Sequence, residues 1–163
     1  MRRKTGVNRI SERRAEIEIR AATPEDWTDL LALMRAYYRF DAIRFRAAIV
    51  GPALKRLLED KSVGRAWIAR DRGTQVGYVM LTFNYDAEFG GIEGIVTDLF
   101  LASAYRGVGL GRRVMAIVED YCRAAGMRAI ELQVERDNRT AQAFYRHLGF
   151  RKLSRLVLSR LSE

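Results

Sequence analysis

The chain has little cysteine, little proline and no long hydrophobic run. Its single cysteine, Cys122, excludes an internal disulfide, and because it lies in an apolar helical pattern we interpret it as a small core residue. No apolar stretch approaches the roughly 18 residues that a membrane-spanning helix needs. The basic start, Met1–Lys4, is not followed by the apolar segment of a secretory signal. We therefore expect a cytoplasmic protein without membrane attachment.

Positive charge is concentrated at the start of the sequence. The chain carries a net charge of +9, and residues 1–14, with six basic side chains and one acidic side chain, contribute +5 of it. Such a basic extension either contacts nucleic acid or another polyanion, or is simply solvated. Residues 15–163 have the length of one domain and contain no helix-turn-helix or zinc-binding pattern. We expect one domain there, with no metal site and no nucleic-acid partner.

Hydrophobic patterning predicts an α/β domain with the element order β, α, α, β, β, β, α, β, α, β. Strands alternate apolar and polar residues, whereas helices repeat apolar residues every three to four positions. The order predicts a mixed sheet with a hairpin half and a βαβ half. The predicted segments are a strand around Ile17 and Ile19, a helix start at Thr23–Asp26 with apolar positions from Trp27 to Tyr38, a helix within Ile43–Glu59, strands at Ala66–Ala69, Val76–Phe83 and Ile92–Leu101, a helix at Leu110–Ala125, a strand at Ile130–Val134, a helix at Thr140–Leu148 and a last extended segment at Phe150–Leu161.

The strongest chemical signal is the segment RGVGLG at residues 106–111, between a predicted strand and a predicted helix. Its three glycines allow the backbone to curl so that several N–H groups point at one anion. The following helix adds unpaired N–H groups and the positive end of its dipole. Arg106, Arg112 and Arg113 add positive charge. The segment predicts a phosphate or pyrophosphate site, and the alternative is a flexible turn without a ligand.

Residue spacing excludes two common classes of glycine-rich phosphate-binding loop. A P-loop ends in Gly-Lys followed by Ser or Thr, but Gly111 is followed by Arg112 and Arg113. A dinucleotide fingerprint that begins at Gly107 needs a glycine at its last position, where the chain has Arg112. The pattern that fits is R-x-x-G-x-G, formed by Arg106, Gly109 and Gly111.

With this pattern the sequence resembles the GNAT superfamily of acyl-CoA N-acyltransferases. The strand residues DLFL at 98–101 precede the loop as in that family, LQVERDN at 132–138 resembles its next strand and asparagine, and AQAFYRHLGF at 141–150 resembles its closing A-x-x-x-Y-x-x-x-G-F signature. The strong part of the resemblance covers residues 92–152. It implies the GNAT fold, a mixed and mostly antiparallel sheet flanked by helices with a βαβ half that binds acetyl-CoA, and it implies a homodimer.

The resemblance also implies which residues hold acetyl-CoA. Backbone groups of the strand before the loop would pair with the pantetheine arm, and the N–H of Leu101 would polarise the acetyl carbonyl. The loop amides would bind the pyrophosphate, and Asn138 would hydrogen-bond the cofactor. The implied cofactor-binding residues are Leu99, Phe100, Leu101, Arg106, Gly107, Val108, Gly109, Leu110, Gly111, Arg112, Asn138, Thr140, Ala141 and Tyr145.

By the same resemblance, an amine attacks the thioester directly in a ternary complex, without an acetyl-enzyme. Tyr145 matches the family's tyrosine that protonates the departing thiolate, a role that suits a phenol with a pKa of about 10; the alternative is a core aromatic. The family often places its basic glutamate where this chain has Ile95 and Thr97. Asp98 is our candidate base. If Asp98 is not the base, it is an exposed strand carboxylate or one that orients the substrate ammonium. The proton of the amine could also leave through ordered water without a dedicated base.

The acceptor site is implied by segments that look like the polyamine and small-amine branch. Phe40, Asp41, Tyr85 and Glu93 are the candidate substrate-binding residues. Asp41 would pair with an ammonium, or else is a helix cap or a surface charge. Thr97 stands where the polyamine branch favours an acidic residue, so the likeness does not identify the amine. The alternatives are a protein N-terminus or lysine as acceptor, or a non-catalytic acyl-CoA-binding regulatory module.

Overall fold

The computed structural model describes residues 17–160, in which an open five-stranded sheet is flanked by helices. The strands lie side by side in chain order. Neighbours are antiparallel except for the last two, which are parallel. The prediction of a mixed, mostly antiparallel sheet is therefore confirmed. The basic extension predicted at residues 1–14 lies outside the described residues. The strands are β1 (Ile17–Ala21), β2 (Gly64–Asp71), β3 (Thr74–Asp86), β4 (Gly91–Leu101) and β5 (Ile130–Leu132).

The helices follow the predicted pattern closely. A short 3-10 turn at Pro24–Asp26 leads directly into the first helix, as the Thr-Pro-acid start predicts. The second helix begins later than Ile43, because the chain first turns at Asp41 and Ala42, where Ala42 has a φ of +54°. Within residues 17–160 no helix is long and apolar enough to cross a membrane. The helices are α1 (Trp27–Phe40), α2 (Ala47–Glu59), α3 (Leu110–Ala124) and α4 (Arg139–His147).

Asp26 fastens the start of α1 to the sheet. Its buried carboxylate accepts two hydrogen bonds of 2.7 Å from the Arg20 guanidinium on β1 and one of 3.0 Å from Arg70 on β2. Arg70 also bonds Asp29 at 2.6 Å. These bonds, with Arg20 the largest contributor, hold the pKa of Asp26 far below its usual range. The carboxylate is therefore ionised at physiological pH and fixes the position of α1 over the strands.

The sheet buries side chains on both faces. On one face, Ile68 and Tyr78 pack into a core with α1 and α2. On the other face, Trp67 meets Tyr121 of α3, with ring centroids 5.3 Å apart. Successive strand residues point to opposite faces, which is why the neighbours Trp67 and Ile68 pack against different helices. Cys122 of α3 is buried, so its interpretation as a core residue is confirmed.

A bulge in β4 separates its two halves. Met80 pairs with Asp98 and Leu81 pairs with Val96, so Thr97 is the extra residue without a counterpart on β3. Strand β5 pairs only with residues 94–96 of β4. The second half of β4, from the bulge onward, therefore extends past the last β5 pair.

The chain divides into two compact units, one that ends at Gln133 and one that begins at Val134. The first contains the sheet and α1 to α3, and the second contains α4. In the second unit the predicted last strand is wrong for the described residues, because residues 150–160 contain no strand. Three consecutive apolar residues there, Leu156 to Leu158, are 71%, 68% and 89% exposed. An apolar segment becomes a strand only with a hydrogen-bonding partner, which its own composition cannot provide.

Candidate active site

The loop between β4 and α3 has a backbone suited to an anion. Gly107 and Gly109 have φ values of +70° and +87°, in the left-handed region that glycine adopts without strain. Gly109 is the N-cap of α3 and offers no side-chain acceptor to the first turn of the helix. The N–H groups of that turn also have no acceptor within the helix. This end of α3, at the positive end of its dipole, is therefore available to a phosphate group.

The arginines around the loop do not all point at it. Arg113 donates to the backbone oxygen of Ile17 on β1 at 2.8 Å. Arg106 donates through Nε to the backbone oxygen of Leu101 at 2.7 Å. Arg112 is exposed on the first turn of α3. The loop backbone thus has the positive φ values that its glycines predict, while the side chain of Arg106 lies against the end of β4.

The second half of β4 presents backbone groups to an edge that β5 does not cover. Ala102 donates its N–H to Val76 on β3 at 2.9 Å. Because successive residues direct their backbone groups to alternate edges, Leu101 and Leu99 direct theirs away from β3. Phe100 directs its backbone toward Tyr78, its β3 partner. Of the three residues predicted to pair with the pantetheine arm, Leu99 and Leu101 face the open edge and Phe100 does not.

Asp98 lies just past the bulge, with its carboxylate against the core. Its Oδ2 accepts a hydrogen bond of 3.0 Å from the hydroxyl of Tyr78, which is wholly buried. Burial raises the pKa of Asp98 to about 6; the Tyr78 bond opposes that rise and the carboxylate of Asp41 adds to it. The structure thus brings Asp41 and Asp98, predicted as an acceptor residue and a base, within electrostatic reach of each other.

Aromatic rings connect Asp98 to the end of α1. Phe40, the last residue of α1, is 59% exposed. The guanidinium carbon of Arg106 lies 4.0 Å from the ring centroid of Phe40 and 5.5 Å from that of Phe100. The Phe100 ring lies 6.3 Å from the ring of Tyr78, the partner of Asp98. One connected group of contacts therefore runs from Phe40 through Arg106 to the carboxylate of Asp98.

The other two candidate acceptor residues lie at the opposite end of the hairpin. Tyr85 pairs with Ile92 and is 72% exposed. Glu93 is buried, accepts a bond of 2.6 Å from Asn84 through Oε1, and its Oε2 has no hydrogen-bond partner among residues 17–160. Seven positions along β3 separate Tyr85 from Tyr78, about 23 Å at the usual rise of a strand. The structure does not bring Tyr85 or Glu93 to Phe40.

The second unit positions its candidate residues on α4. Asn138 caps the helix, because its Oδ1 accepts the N–H of Ala141 at 3.0 Å. Thr140 and Ala141 lie in the first turn. Tyr145 packs between Phe144 and Phe150, with ring centroids 5.0 Å and 5.6 Å away. Burial raises the pKa of Tyr145 to about 12, so its phenol stays protonated at neutral pH.

The sequence profile of the acetyltransferase (GNAT) family matches residues 27–150. The chain belongs to the GNAT acetyltransferase family. An uncharacterized N-acetyltransferase of Methanocaldococcus jannaschii is 27% identical over 134 residues, which are 81% of this chain and 59% of that protein. An uncharacterized protein of Mycobacterium leprae is 40% identical over 86 residues, which are 52% of this chain and only 22% of that protein. The chain thus covers less than two thirds of the length of these relatives.

Solved structures show the same GNAT fold. An integron cassette protein from the mobile metagenome of Cole Harbour salt marsh superposes with a TM-score of 0.79 at 26% identity, covering 97% of this chain and 95% of that one. An aminoglycoside N-acetyltransferase in complex with CoA superposes with a TM-score of 0.78 at 16% identity, covering 89% of this chain and 94% of that one. At the second identity the likeness shows the fold alone.

Sequence reasoning did not name Tyr78, and it assigned Arg106 to the cofactor, whereas the Arg106 side chain lies against Phe40, Phe100 and the backbone oxygen of Leu101. A signal for Tyr78 exists, because a buried phenol needs a hydrogen-bond partner and Asp98 is the acid on the neighbouring strand. No comparable signal exists for Arg106. Its side chain could follow the loop or turn back over α1, and only the folded positions of Phe40 and Phe100 decide between them.

Proposed function

We propose that the chain transfers the acetyl group of acetyl-CoA to a small primary amine by direct attack in a ternary complex. The observation that carries the proposal is the order of two backbone features. The open edge of β4 at Leu99 and Leu101 leads into the Gly107–Gly109 loop and the uncapped N-terminus of α3. A strand edge suits an amide-bearing arm, and a helix N-terminus suits a diphosphate. Membership in the GNAT family supports this assignment.

In this proposal the backbone binds the acetyl donor, acetyl-CoA. The N–H groups of the loop and of the first turn of α3 bind the pyrophosphate, and the open edge at Leu99 pairs with the pantetheine arm. Acetyl-CoA supplies a thioester whose carbonyl carbon is open to attack by an amine. The N–H of Leu101 donates to the carbonyl oxygen, where negative charge develops during attack. Asn138, Thr140 and Ala141 remain proposed cofactor contacts from the second unit.

Asp98 is the proposed base and Tyr145 the proposed acid. With a pKa of about 6, the Asp98 carboxylate is mostly ionised at neutral pH and can take a proton from an acceptor ammonium. Asp41 adds negative charge that favours the cation before it loses its proton. The Tyr145 phenol, protonated up to a pH of about 12, donates a proton to the departing thiolate.

Free thiol released from acetyl-CoA by a panel of amines tests the proposal. We expect release with at least one small primary amine, together with mass-spectrometric detection of the acetylated product. We expect Tyr145→Phe to slow this release by about 100-fold while acetyl-CoA binding stays within about twofold of wild type. Tight acetyl-CoA binding with no release for any amine would instead identify a non-catalytic acyl-CoA-binding module.

A protein N-terminus is the second candidate acceptor. An N-alpha-acetyltransferase, RimI, of Mycobacterium tuberculosis is 32% identical over 92 residues, which are 52% of this chain and 51% of that protein. A peptide beginning with a free amine therefore belongs in the panel beside the small amines. Homodimer formation and a cytoplasmic location are proposed with the function, and light scattering of the purified chain tests the first.

A further inference from the structure

The Arg106 guanidinium holds a positive charge in the region that the proposed function gives to the acceptor. We propose that the rings of Phe40 and Phe100, which both contact Arg106, form a cation subsite for the acceptor's ammonium, and that Arg106 occupies this subsite until an amine displaces it. The ring contacts of the guanidinium carbon, at 4.0 Å and 5.5 Å, carry the inference. The identity of the cation as an acceptor rests on the proposed function, whereas the subsite itself does not.

The surroundings of the two rings favour a cation. An aromatic face carries negative potential, and two rings within about 6 Å of one charge both attract it. Phe100 is buried, so water does not cover its side of the subsite, and the exposed Phe40 forms the entrance. The carboxylate of Asp98 bonds Tyr78, which shares the core on that face of the sheet with Phe100, and Asp41 acts on Asp98 electrostatically. An ammonium and a guanidinium are the two common organic cations that fit these surroundings.

Arg106 is held loosely enough to leave. The residue is exposed, and the next residue, Gly107, has a φ of +70° and opens a glycine-rich loop. Beyond its ring contacts, the side chain donates from Nε to the backbone oxygen of Leu101 at 2.7 Å. Displacement of Arg106 would therefore also free a backbone group on the open edge of β4. An amine that enters the subsite would therefore displace Arg106 and also free the Leu101 backbone oxygen on the edge of β4 that the proposal gives to acetyl-CoA.

Direct binding of a simple monoamine tests the subsite without any acetyl transfer. The probe is butylammonium chloride, titrated into ¹⁵N-labelled full-length chain, with 1-butanol as the uncharged probe of similar shape. In the wild type, butylammonium should shift the Arg106 Nε–Hε resonance from its ring-shielded position toward that of a solvated arginine, and 1-butanol should not. In Arg106→Gln the subsite is vacant, so the dissociation constant of butylammonium should fall by about 3- to 10-fold.

Arg39→Gln is the matched control, because it removes the same charge from an exposed residue beside Phe40. Screening at physiological salt should keep its effect within about twofold. An equal gain in both glutamine variants would reduce the effect to net charge and overturn the proposal. Butylammonium that binds no variant, or that leaves the Arg106 resonance in place, would overturn it as well.

Phe40→Leu completes a double-mutant cycle at a side chain that is 59% exposed, where folding tolerates the change. Without this ring, Arg106→Gln should gain less than about twofold in butylammonium affinity, and the full gain would contradict a ring-based subsite.

The outcomes separate this inference from the proposed function. A chain that binds butylammonium as described but acetylates no amine refutes the proposed function alone. An active acetyltransferase in which Arg106→Gln binds amines as the wild type does refutes the subsite alone.

Discussion

Asp26, which is buried, and Asp98, which is half-buried, are carboxylates of the same unit with opposite surroundings. Asp26, at the start of α1, accepts hydrogen bonds from the guanidinium groups of Arg20 and Arg70, and its pKa is far below the usual range. Asp98, in the middle of β4, accepts a bond from the neutral phenol of Tyr78, and burial raises its pKa to about 6. One carboxylate receives a compensating charge, and the other receives only a hydrogen bond.

The difference separates a stabilising residue from one available for chemistry. A carboxylate bound by two guanidinium groups cannot take a proton at any physiological pH, so Asp26 can only hold α1 on the sheet. A carboxylate that is buried without a matched charge is costly for the fold, and it attracts a proton or a cation. The carboxylate of Asp41 acts on Asp98 electrostatically and strengthens that attraction. The contrast predicts opposite signs for the two substitutions that remove these charges.

The largest effect on stability is expected at Asp26. Asp26→Ala should lower the free energy of unfolding by about 3 kcal/mol, because it leaves the partly buried Arg70 and Arg20 guanidinium groups without their shared partner. Urea denaturation at neutral pH measures the loss. Asp120→Ala is the control, since it removes an exposed carboxylate that pairs with Arg123 at 2.7 Å, and its effect should be near zero.

The contribution of Asp26 also has a defined dependence on pH. Its pKa is lower in the folded chain than in the unfolded chain, so the stabilisation is complete above about pH 4. It is lost progressively as the pH falls below that value toward the folded pKa. The difference between wild type and Asp26→Ala should therefore shrink on acidification. A constant difference down to pH 2 would mean that ionic bonds do not cause it.

Asp98→Asn should stabilise the fold, in contrast to Asp26→Ala, and should greatly lower turnover. We expect acetyl transfer to slow by about 100-fold, because the variant cannot take the proton of the acceptor. We expect the free energy of unfolding to rise by about 1–2 kcal/mol at neutral pH, because a half-buried charge without a matched partner is gone. The raised pKa means that wild type loses stability as the pH rises from about 4 to 6. The gain of Asp98→Asn should grow over that window and stay level above it. Unchanged turnover would remove Asp98 from the chemistry.

Sequence patterns predicted the backbone of the glycine loop better than they predicted where the proposed acceptor residues lie. Glycine at 107 and 109 reports a backbone requirement directly, and both residues have the positive φ that the spacing suggested. Asp98 could be named because it lies in a strand next to the loop. These features are local, so residues near each other in the chain are enough to indicate them.

The acceptor side depends on contacts between distant segments. Tyr85 was grouped with Phe40, but the β3–β4 register places it at the far end of the hairpin. The bulge at Thr97 shifts that register by one residue and decides that Asp98 faces Met80 and reaches Tyr78. The position of Arg106 follows from where α1 ends. None of these is encoded in the periodicity of one segment, since each requires the assembled sheet.

The smallest expected effect tests whether the Tyr78 hydroxyl tunes Asp98. This hydrogen bond stabilises the ionised carboxylate, so it lowers the pKa of Asp98 against the effect of burial. Tyr78→Phe keeps the buried ring and removes the bond, so the acid limb of the kcat/KM profile should move up by about half a pH unit, with the plateau within about twofold of wild type. Tyr105→Phe removes a similar phenol–carboxylate bond, to Asp71 at 2.7 Å, and should leave that limb in place. A limb that moves in both variants, or in neither, would show that the ionisation governing turnover is not that of the Asp98 carboxylate.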